Sequence, residues 1–154
     1  MLNDIYNQKI LAFAADIPRT ARLAHPDGTA VAISRLCGSK VTVDIRLDGA
    51  VVSDFGHEVK ACALGQASSS IMARHVIGST TAELRELRAR MYRMLKDDGP
   101  TPGGKWADLA ALEPVRGFKA RHASTLLTFD AVVAAIDKAE AARGGKMPAG
   151  VAAV

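Results

Sequence analysis

Hydrophobic and polar residues follow two different periods along the chain, and this change predicts a helix, a sheet and then further helices. Apolar residues recur at helical spacing over residues 2–15, before Ile17-Pro18 ends the pattern. After the turn-forming residues Pro26-Asp27-Gly28, apolar and polar side chains alternate over residues 41–48, which is typical of a half-buried strand. The chain is therefore predicted to begin with an amphipathic helix that is followed by β structure.

Three strands are predicted between residues 29 and 60. Asp48-Gly49 is a strong hairpin signal, and it joins the alternating strand to another over about residues 50–60. Upstream, residues 29–36 predict a first strand, which a short turn over residues 37–40 connects to the second. Because consecutive strands with short connections pair in an antiparallel manner, these segments predict a three-stranded meander.

Helical spacing returns from about residue 63. Residues 63–77 predict one helix with Gly78 as its C-cap, and the capping-box spacing of Thr80 and Glu83 indicates the start of a second. A loop over residues 98–104, a short helical segment over 106–112 and a final helix over 125–142 follow. The predicted fold is therefore α+β, a three-stranded antiparallel meander with helices packed on it, in one domain over residues 1–142 with a flexible tail over 143–154.

Composition narrows the functional classes. The chain has 154 residues, of which 49% are hydrophobic, and this is enough to bury one core. No run of about eighteen apolar residues occurs, and the first ten residues lack a signal-peptide pattern, so we expect a cytoplasmic protein without membrane contact. A net charge of +4, arginines interspersed with glutamates over residues 83–93 and few aromatic residues argue against nucleic-acid binding.

The two cysteines, Cys37 and Cys62, are expected to lie close together although 24 residues separate them in the chain. In an up-down-up meander, the turn between the first two strands lies at the same end as the exit of the third strand. Cys62 also stands at the start of a predicted helix, where free N–H groups and the macrodipole favour a thiolate. The alternative is that both thiols are small buried hydrophobic groups, which is the commoner role of free cysteines.

Several motifs together resemble the U-type iron–sulfur cluster scaffold proteins, the family of SufU, IscU and the NifU N-terminal domain. They are Leu36-Cys37-Gly38, Asp48-Gly49 and ACALGQASSSIM over residues 61–72. Family members carry Cys-Gly-Asp in the first turn and Cys-x-x-Ser-x-Ala-Ser-x-Ser at the helix start. Residues 2–22 are similar to the family's first helix and following turn, and residues 118–126 align with Phe-Pro-x-Arg-x-Lys-Cys-x-x-Leu. The resemblance covers nearly the whole chain and implies a SufU/IscU-like fold.

The resemblance also implies a site at one end of the sheet. In the family, three cysteines and one aspartate bind zinc or a nascent iron–sulfur cluster and accept sulfur from a cysteine desulfurase. Cys37 and Cys62 match two of the cysteines, and Arg121 matches an arginine near the site. Ser39 stands in place of the aspartate, and Ser124 in place of the third cysteine. The implied partners are a cysteine desulfurase, other assembly proteins and recipient apoproteins, and the implied role is that of a scaffold or carrier rather than an enzyme.

Half of that ligand set is therefore missing, and serine hydroxyls are poor substitutes for it at neutral pH. Ser124 has a structural alternative as the N-cap of the final helix. If its segment is extended, His122 points the same way as Ser124 and is the best reserve ligand, whereas His57 and His75 are expected to be ordinary surface or partly buried histidines. The bound zinc or cluster is accordingly expected to be weak or absent.

Four hypotheses remain open at this point. A homodimer would pool four cysteines around one [2Fe–2S] cluster. A degenerate relative would keep the fold and the docking surface for the assembly machinery, but bind metal weakly or not at all. A metal-free protein would use Cys37 and Cys62 for persulfide relay or a reversible disulfide, with Arg121 stabilising a thiolate. A non-catalytic interaction module would dock other proteins of the assembly machinery without any chemistry of its own. In each case the small residues at positions 67–70 are expected to let their helix pack closely under the sheet, and the simplest explanation of them is packing alone.

Overall fold

The computed structural model describes residues 6–146 and confirms the predicted α+β meander. Its elements in chain order are helix α1 (Gln8–Ala15), strands β1 (Gly28–Ile33), β2 (Lys40–Asp48) and β3 (Val51–Lys60), helices α2 (Ala63–His75) and α3 (Thr81–Lys96), a 3₁₀ segment (Gly104–Gly117), a 3₁₀ turn (Lys119–Arg121) and helix α4 (His122–Lys146). The strands pair in the order β1-β2-β3, antiparallel throughout. No helix among the described residues has the length and apolar character needed to cross a bilayer.

One face of the sheet is apolar and carries helix α4. Val41, Val43 and Ile45 alternate along β2 and are fully buried, as the period-two pattern predicts. Gly28 of β1 lies directly against α4, because a Cβ at this position would fall 2.1 Å from the Ala135 carbonyl oxygen. The absence of a side chain at Gly28 therefore allows β1 and α4 to approach this closely.

Helix α2 is held mainly between α1 and α4, and it makes few contacts with the sheet. The small residues of α2 are predicted to pack closely under the sheet. This prediction is wrong about the packing partner, because α2 packs mainly against α1 and α4. Ser70 donates to the Asp16 carbonyl oxygen beyond the end of α1 at 3.0 Å. A Cβ at Gly65 would lie 3.1 Å from the Ser124 carbonyl oxygen, so the start of α2 lies close to the start of α4.

Three element boundaries in the first half differ by two or more residues from their predicted positions. Helix α1 begins at Gln8, where Asn7 Oδ1 accepts from the Ile10 N–H at 3.1 Å, and residues 2–5 of the predicted helix lie outside the described residues. Strand β1 ends at Ile33 rather than at residue 36, because the chain turns at the next residue. Helix α2 ends at His75 rather than at residue 77, and Gly78, with φ of 89°, follows its end instead of capping it.

The last helix is longer than predicted at both ends. It begins at His122, three residues earlier than expected, and extends to Lys146 instead of ending at residue 142. Arg143 donates to the Leu47 and Gly49 carbonyl oxygens at 2.6 Å each, which fixes this part of α4 at the β2–β3 hairpin. Residues 143–146 of the predicted tail are therefore helical, and its remainder lies outside the described residues.

Candidate functional site

Cys37 and Cys62 converge at one end of the sheet, as the meander topology predicts. Cys37 lies in the β1–β2 turn, and Cys62 directly precedes α2. Ser39 Oγ is 3.0 Å from the Cys37 sulfur and accepts a hydrogen bond from the Cys62 N–H at 3.4 Å. The Cys62 thiol donates to Ser124 Oγ at 3.4 Å. The two cysteines and two serines that sequence reasoning singled out therefore form one cluster.

The β1–β2 turn positions Cys37 at the surface of this cluster. Ser34 N–H donates to the Ser39 carbonyl oxygen, and Gly38 N–H donates to the Ser34 carbonyl oxygen, both at 2.8 Å. Gly38 has φ of 72°, a conformation that glycine adopts more readily than other residues. Both cysteines are free thiols, with Cys37 exposed and Cys62 half-buried. A reagent or a partner protein can therefore approach the sulfur of Cys37 from solvent.

Buried hydroxyl groups surround the Cys37 sulfur. The Cys37 thiol donates to Ser34 Oγ at 3.5 Å, and once it is ionised the hydroxyls of Ser34 and Ser39 can both donate to it. These hydrogen bonds, with smaller contributions from the Ser39 N–H and the Ser124 hydroxyl, lower the pKa of Cys37, whereas burial acts in the opposite direction. The turn therefore favours the nucleophilic thiolate form of Cys37. Ser34 was not identified from the sequence. It could have been identified from its position opposite Ser39 across the short β1–β2 turn.

Removing these hydroxyls is expected to slow the reaction of Cys37 with a small alkylating reagent. In Ser34→Ala and Ser39→Ala, the pKa of Cys37 should rise towards its ordinary value, because its thiolate loses a hydrogen-bond donor. The rate of iodoacetamide modification at pH 7 should fall several-fold, and its pH profile should shift to higher pH. Ser53→Ala, at an exposed position of β3, is the matched control. Unchanged pH profiles in both variants would show that the hydroxyls do not tune Cys37.

Cys62 occupies the N-cap position of α2. Its backbone is extended, with φ of −68° and ψ of 172°, and its carbonyl oxygen accepts from the Gln66 N–H at 2.9 Å. Its side chain makes no capping hydrogen bond. The positive end of the α2 dipole is therefore directed at the cluster.

The predictions about Ser124 and His122 are wrong in geometry, because residues 119–125 are helical rather than extended. Ser124 does not cap α4; it lies buried in its first turn and donates to the Arg121 carbonyl oxygen at 3.2 Å. His122 is buried, and its Nε2 lies 3.1 Å from the carbonyl oxygens of Val115 and of Arg116. It therefore interacts with the 3₁₀ segment and is not a reserve ligand of the cluster.

The other residues considered from the sequence have different surroundings. The Arg121 side chain is half-buried and forms no hydrogen bond or ion pair within residues 6–146. His57 is fully buried, with Nε2 2.9 Å from the Pro18 carbonyl oxygen, and burial lowers its pKa. His75 contacts Asp108 at 3.0 Å on the protein surface. These contacts assign both histidines to local structure, but the predicted surface or partly buried position is wrong for His57, which is fully buried.

The donor atoms of the cluster are two thiols and two hydroxyls. Zinc sites use four ligands from cysteine, histidine and carboxylate side chains, and iron–sulfur clusters are held by thiolates or by thiolates with histidines. Within the part of the chain that the structure describes, no three such side chains are placed together to hold a metal ion. The donor set of one chain therefore does not fit a zinc ion or a cluster.

Comparisons with known proteins agree with this architecture. The family model described as the NifU-like N-terminal domain matches residues 5–138. The iron–sulfur cluster assembly scaffold protein IscU of Thermotoga maritima is 24% identical over 102 residues, which are 66% of this chain and 71% of that protein. The zinc-dependent sulfurtransferase SufU of Bacillus subtilis is 27% identical over 107 residues, or 68% and 71% of the two chains.

Solved structures share the fold. The N-terminal part of a nitrogen-fixing NifU-like protein from Brucella abortus has a TM-score of 0.89 and 60% identity, over 90% of this chain and 96% of that one. A protein from Fervidobacterium islandicum AW-1, described as a candidate scaffold for the SUF system, has a TM-score of 0.80, over 87% and 98% of the two chains. At 21% identity, the second likeness concerns the fold alone.

Proposed function

The chain belongs to the NifU-like N-terminal domain family, and from that premise we propose that it acts in iron–sulfur cluster assembly by accepting sulfur on Cys37 from a cysteine desulfurase. Its relatives include one protein named as an assembly scaffold and one named as a sulfurtransferase. The observation that carries the proposal is the exposed Cys37 thiol, whose pKa is lowered by surrounding hydroxyls. The protein would act as a sulfur carrier within the assembly machinery.

The transfer needs no oxidant or reductant. The Cys37 thiolate attacks the terminal sulfur of a persulfide on the desulfurase, and a new sulfur–sulfur bond forms as the old one breaks. The desulfurase cysteine leaves as a thiolate, so electrons and atoms balance between the two proteins. A low pKa of Cys37 increases the fraction of the attacking species, and the exposed turn gives a large partner access to it.

Cys62 lies beside the same two serine side chains as Cys37. It contacts Ser39 through its N–H and Ser124 through its thiol, and both hydroxyls also interact with Cys37. Ser39 and Ser124 would therefore act as hydrogen-bonding partners of sulfur anions, in the positions where the family resemblance places metal ligands. Two thiols and two hydroxyls suit a persulfide better than they suit a metal ion in one chain.

A second candidate function is to carry a [2Fe–2S] cluster, as cargo, between two copies of the chain. The exposure of Cys37 favours it, because a thiol at the surface can meet its counterpart in a second copy. Two chains would then supply four thiolates, the usual number for such a cluster.

Metal content and sulfur uptake, measured on the same anaerobically purified protein, test the two candidates. After incubation with the organism's own cysteine desulfurase and L-cysteine, the intact mass should increase by one sulfur atom, and this increase should vanish on treatment with dithiothreitol. One zinc per chain would contradict the conclusion that the two thiols and two hydroxyls of one chain do not fit a zinc ion. Visible absorption bands with one cluster per two chains would support the second candidate. If the protein is colourless and takes up neither sulfur nor metal, both candidates are excluded and only a docking role remains.

A further inference from the structure

The sheet has one covered edge and one open edge among the described residues. The edge of β3 is covered: His57 N–H donates to the Arg19 carbonyl oxygen at 3.1 Å, and Val52 N–H donates to the Ser79 carbonyl oxygen at 2.9 Å. Strand β1 forms the opposite edge and pairs only with β2. Within residues 6–146, the side of β1 that faces away from β2 has no backbone partner.

The backbone groups on this open side can be identified from the register. Ser34 and Ser39 are partners at the turn, where Ser34 N–H donates to the Ser39 carbonyl oxygen. Because hydrogen-bonded pairs alternate along antiparallel strands, Ala32 and Ala30 bond to β2. The N–H and C=O groups of the residues between them point away from β2. They belong to Thr29, Val31 and Ile33.

The side chains along this edge are apolar and exposed. Val31 has 50% of its surface exposed, Ile33 60% and Leu36 79%, and Leu36 directly precedes Cys37. Strand β1 reads GTAVAI and contains none of the charged or proline residues that commonly protect an edge strand from pairing. An open, uncharged edge of this kind is typical of a surface that pairs with an extended segment of another protein.

Basic side chains lie at the Cys37 end of this edge. Arg35 is in the turn, and Lys40 pairs with Ile33 across the β1–β2 ladder. Both are exposed, and neither forms an ion pair within the described part of the chain. Lys60 and Glu58 both lie on β3, two strands from the open edge, and carry opposite charges. The charge at this corner of the sheet is therefore complementary to an acidic segment.

We propose that β1 is a docking edge, onto which an extended acidic segment of the protein that donates sulfur to Cys37 adds as a fourth strand. Hydrogen bonds to Thr29, Val31 and Ile33 would provide its affinity, and contacts with the exposed apolar side chains and basic residues would provide its register. Strand β1 ends four residues before Cys37, so the added strand brings the donor beside the thiol. This inference rests on the proposed sulfur transfer and names its docking surface.

Backbone amide hydrogen exchange, followed by NMR on the full chain, tests the docking edge. In the free protein, the amides of Val31 and Ile33 should exchange quickly and that of Ala32 slowly. Addition of the organism's own cysteine desulfurase should slow the exchange of the two outward amides. Protection of these amides without the desulfurase, whether constant or dependent on protein concentration, would overturn the proposal, because the chain itself or a second copy would occupy the edge.

A proline substitution provides a functional test. Val31→Pro removes an outward N–H but no β1–β2 hydrogen bond, so the desulfurase concentration needed for half-maximal sulfur transfer should rise at least about tenfold. Val31→Thr keeps the N–H and the branched shape and changes only the exposed side chain, so it should raise this concentration much less than Val31→Pro does. Equal rates of Cys37 alkylation in both variants would show that the turn remains intact.

A double substitution separates docking from a folding defect in the proline variant. Arg35→Glu with Lys40→Glu leaves the backbone unchanged and should weaken transfer in the same direction, because it reverses the charge that faces the acidic segment. Normal transfer in both this variant and Val31→Pro would overturn the docking edge and leave sulfur transfer to Cys37 standing. Failure of the wild-type protein to bind the desulfurase or accept sulfur would overturn both proposals.

Discussion

Replacement of Cys37 with serine is expected to reduce sulfur uptake from a cysteine desulfurase to less than about 1% of the wild-type amount. The serine hydroxyl is similar in shape and can keep the hydrogen bond with Ser39, so the turn should remain folded. A hydroxyl is not ionised at neutral pH, however, and it cannot attack a persulfide. The measurement is the intact mass of the protein after incubation with the desulfurase and L-cysteine.

Cys62→Ser is the matched control for this substitution. It leaves Cys37 and the hydroxyls of Ser34 and Ser39 in place, and we expect it still to accept one sulfur atom. The hydroxyl that this substitution introduces can replace the Cys62 thiol as a partner of Ser124. The opposite pattern, with full uptake by Cys37→Ser and none by Cys62→Ser, would assign the acceptor role to Cys62.

Asp44→Asn is expected to lower the free energy of unfolding by about 2–3 kcal/mol at pH 7. Asp44 is fully buried on β2, and its carboxylate accepts from Arg22 Nε at 2.6 Å, from Thr29 Oγ1 at 2.6 Å and from the Leu23 N–H at 3.0 Å. An amide replaces one acceptor oxygen with a donor and removes the charge that pairs with Arg22. The segment before β1 would therefore lose its attachment to the outer face of the sheet.

The same carboxylate predicts how stability depends on pH. Burial alone would raise the pKa of Asp44, but hydrogen bonds from Arg22, Thr29 and the Leu23 N–H outweigh it, so the pKa is lowered below 3.8. The unfolded chain therefore binds this proton at higher pH than the folded one. The stability that Asp44 contributes is present above pH 3.8 and is lost as the pH falls through the lowered pKa of the folded state.

Urea unfolding of wild type and Asp44→Asn at pH 7 and at pH 3 checks this account. The difference in free energy between the two proteins should be large at pH 7 and smaller at pH 3. Asp48→Asn, at an exposed position of the β2–β3 hairpin, should behave like wild type at both values. A difference that is the same at both pH values would show that the charge of Asp44 does not contribute.

The sheet and the meeting of the two cysteines could be predicted because both depend on short-range patterns. The alternation along β2 indicates which face is buried, and Asp48-Gly49 specifies the hairpin that follows, where Gly49 has φ of 63°. Once three strands are joined by short turns, the positions of Cys37 and Cys62 at the same end follow from the topology. No contact between distant segments had to be known for that prediction.

The surroundings of Ser124 and His122 could not be predicted in the same way. Residues 119–125 follow a 14-residue 3₁₀ segment that contains Pro114, and they carry no apolar period that distinguishes a helix start from an extended chain. Because the segment is helical, Ser124 lies next to Cys62 whereas His122 contacts the 3₁₀ segment. The small residues of α2 likewise predict close packing, but they do not specify that its neighbours are α1 and α4.

The position of the transferred sulfur tests the central claim most directly. Trypsin separates the two thiols, because Cys37 lies in the peptide over residues 36–40 and Cys62 in the peptide over residues 61–74. After a brief incubation with the desulfurase and L-cysteine, followed by alkylation of persulfides, mass spectrometry should find the additional sulfur on the peptide over residues 36–40. Additional sulfur first on the peptide over residues 61–74, or on neither peptide, would contradict the assignment of Cys37 as the acceptor.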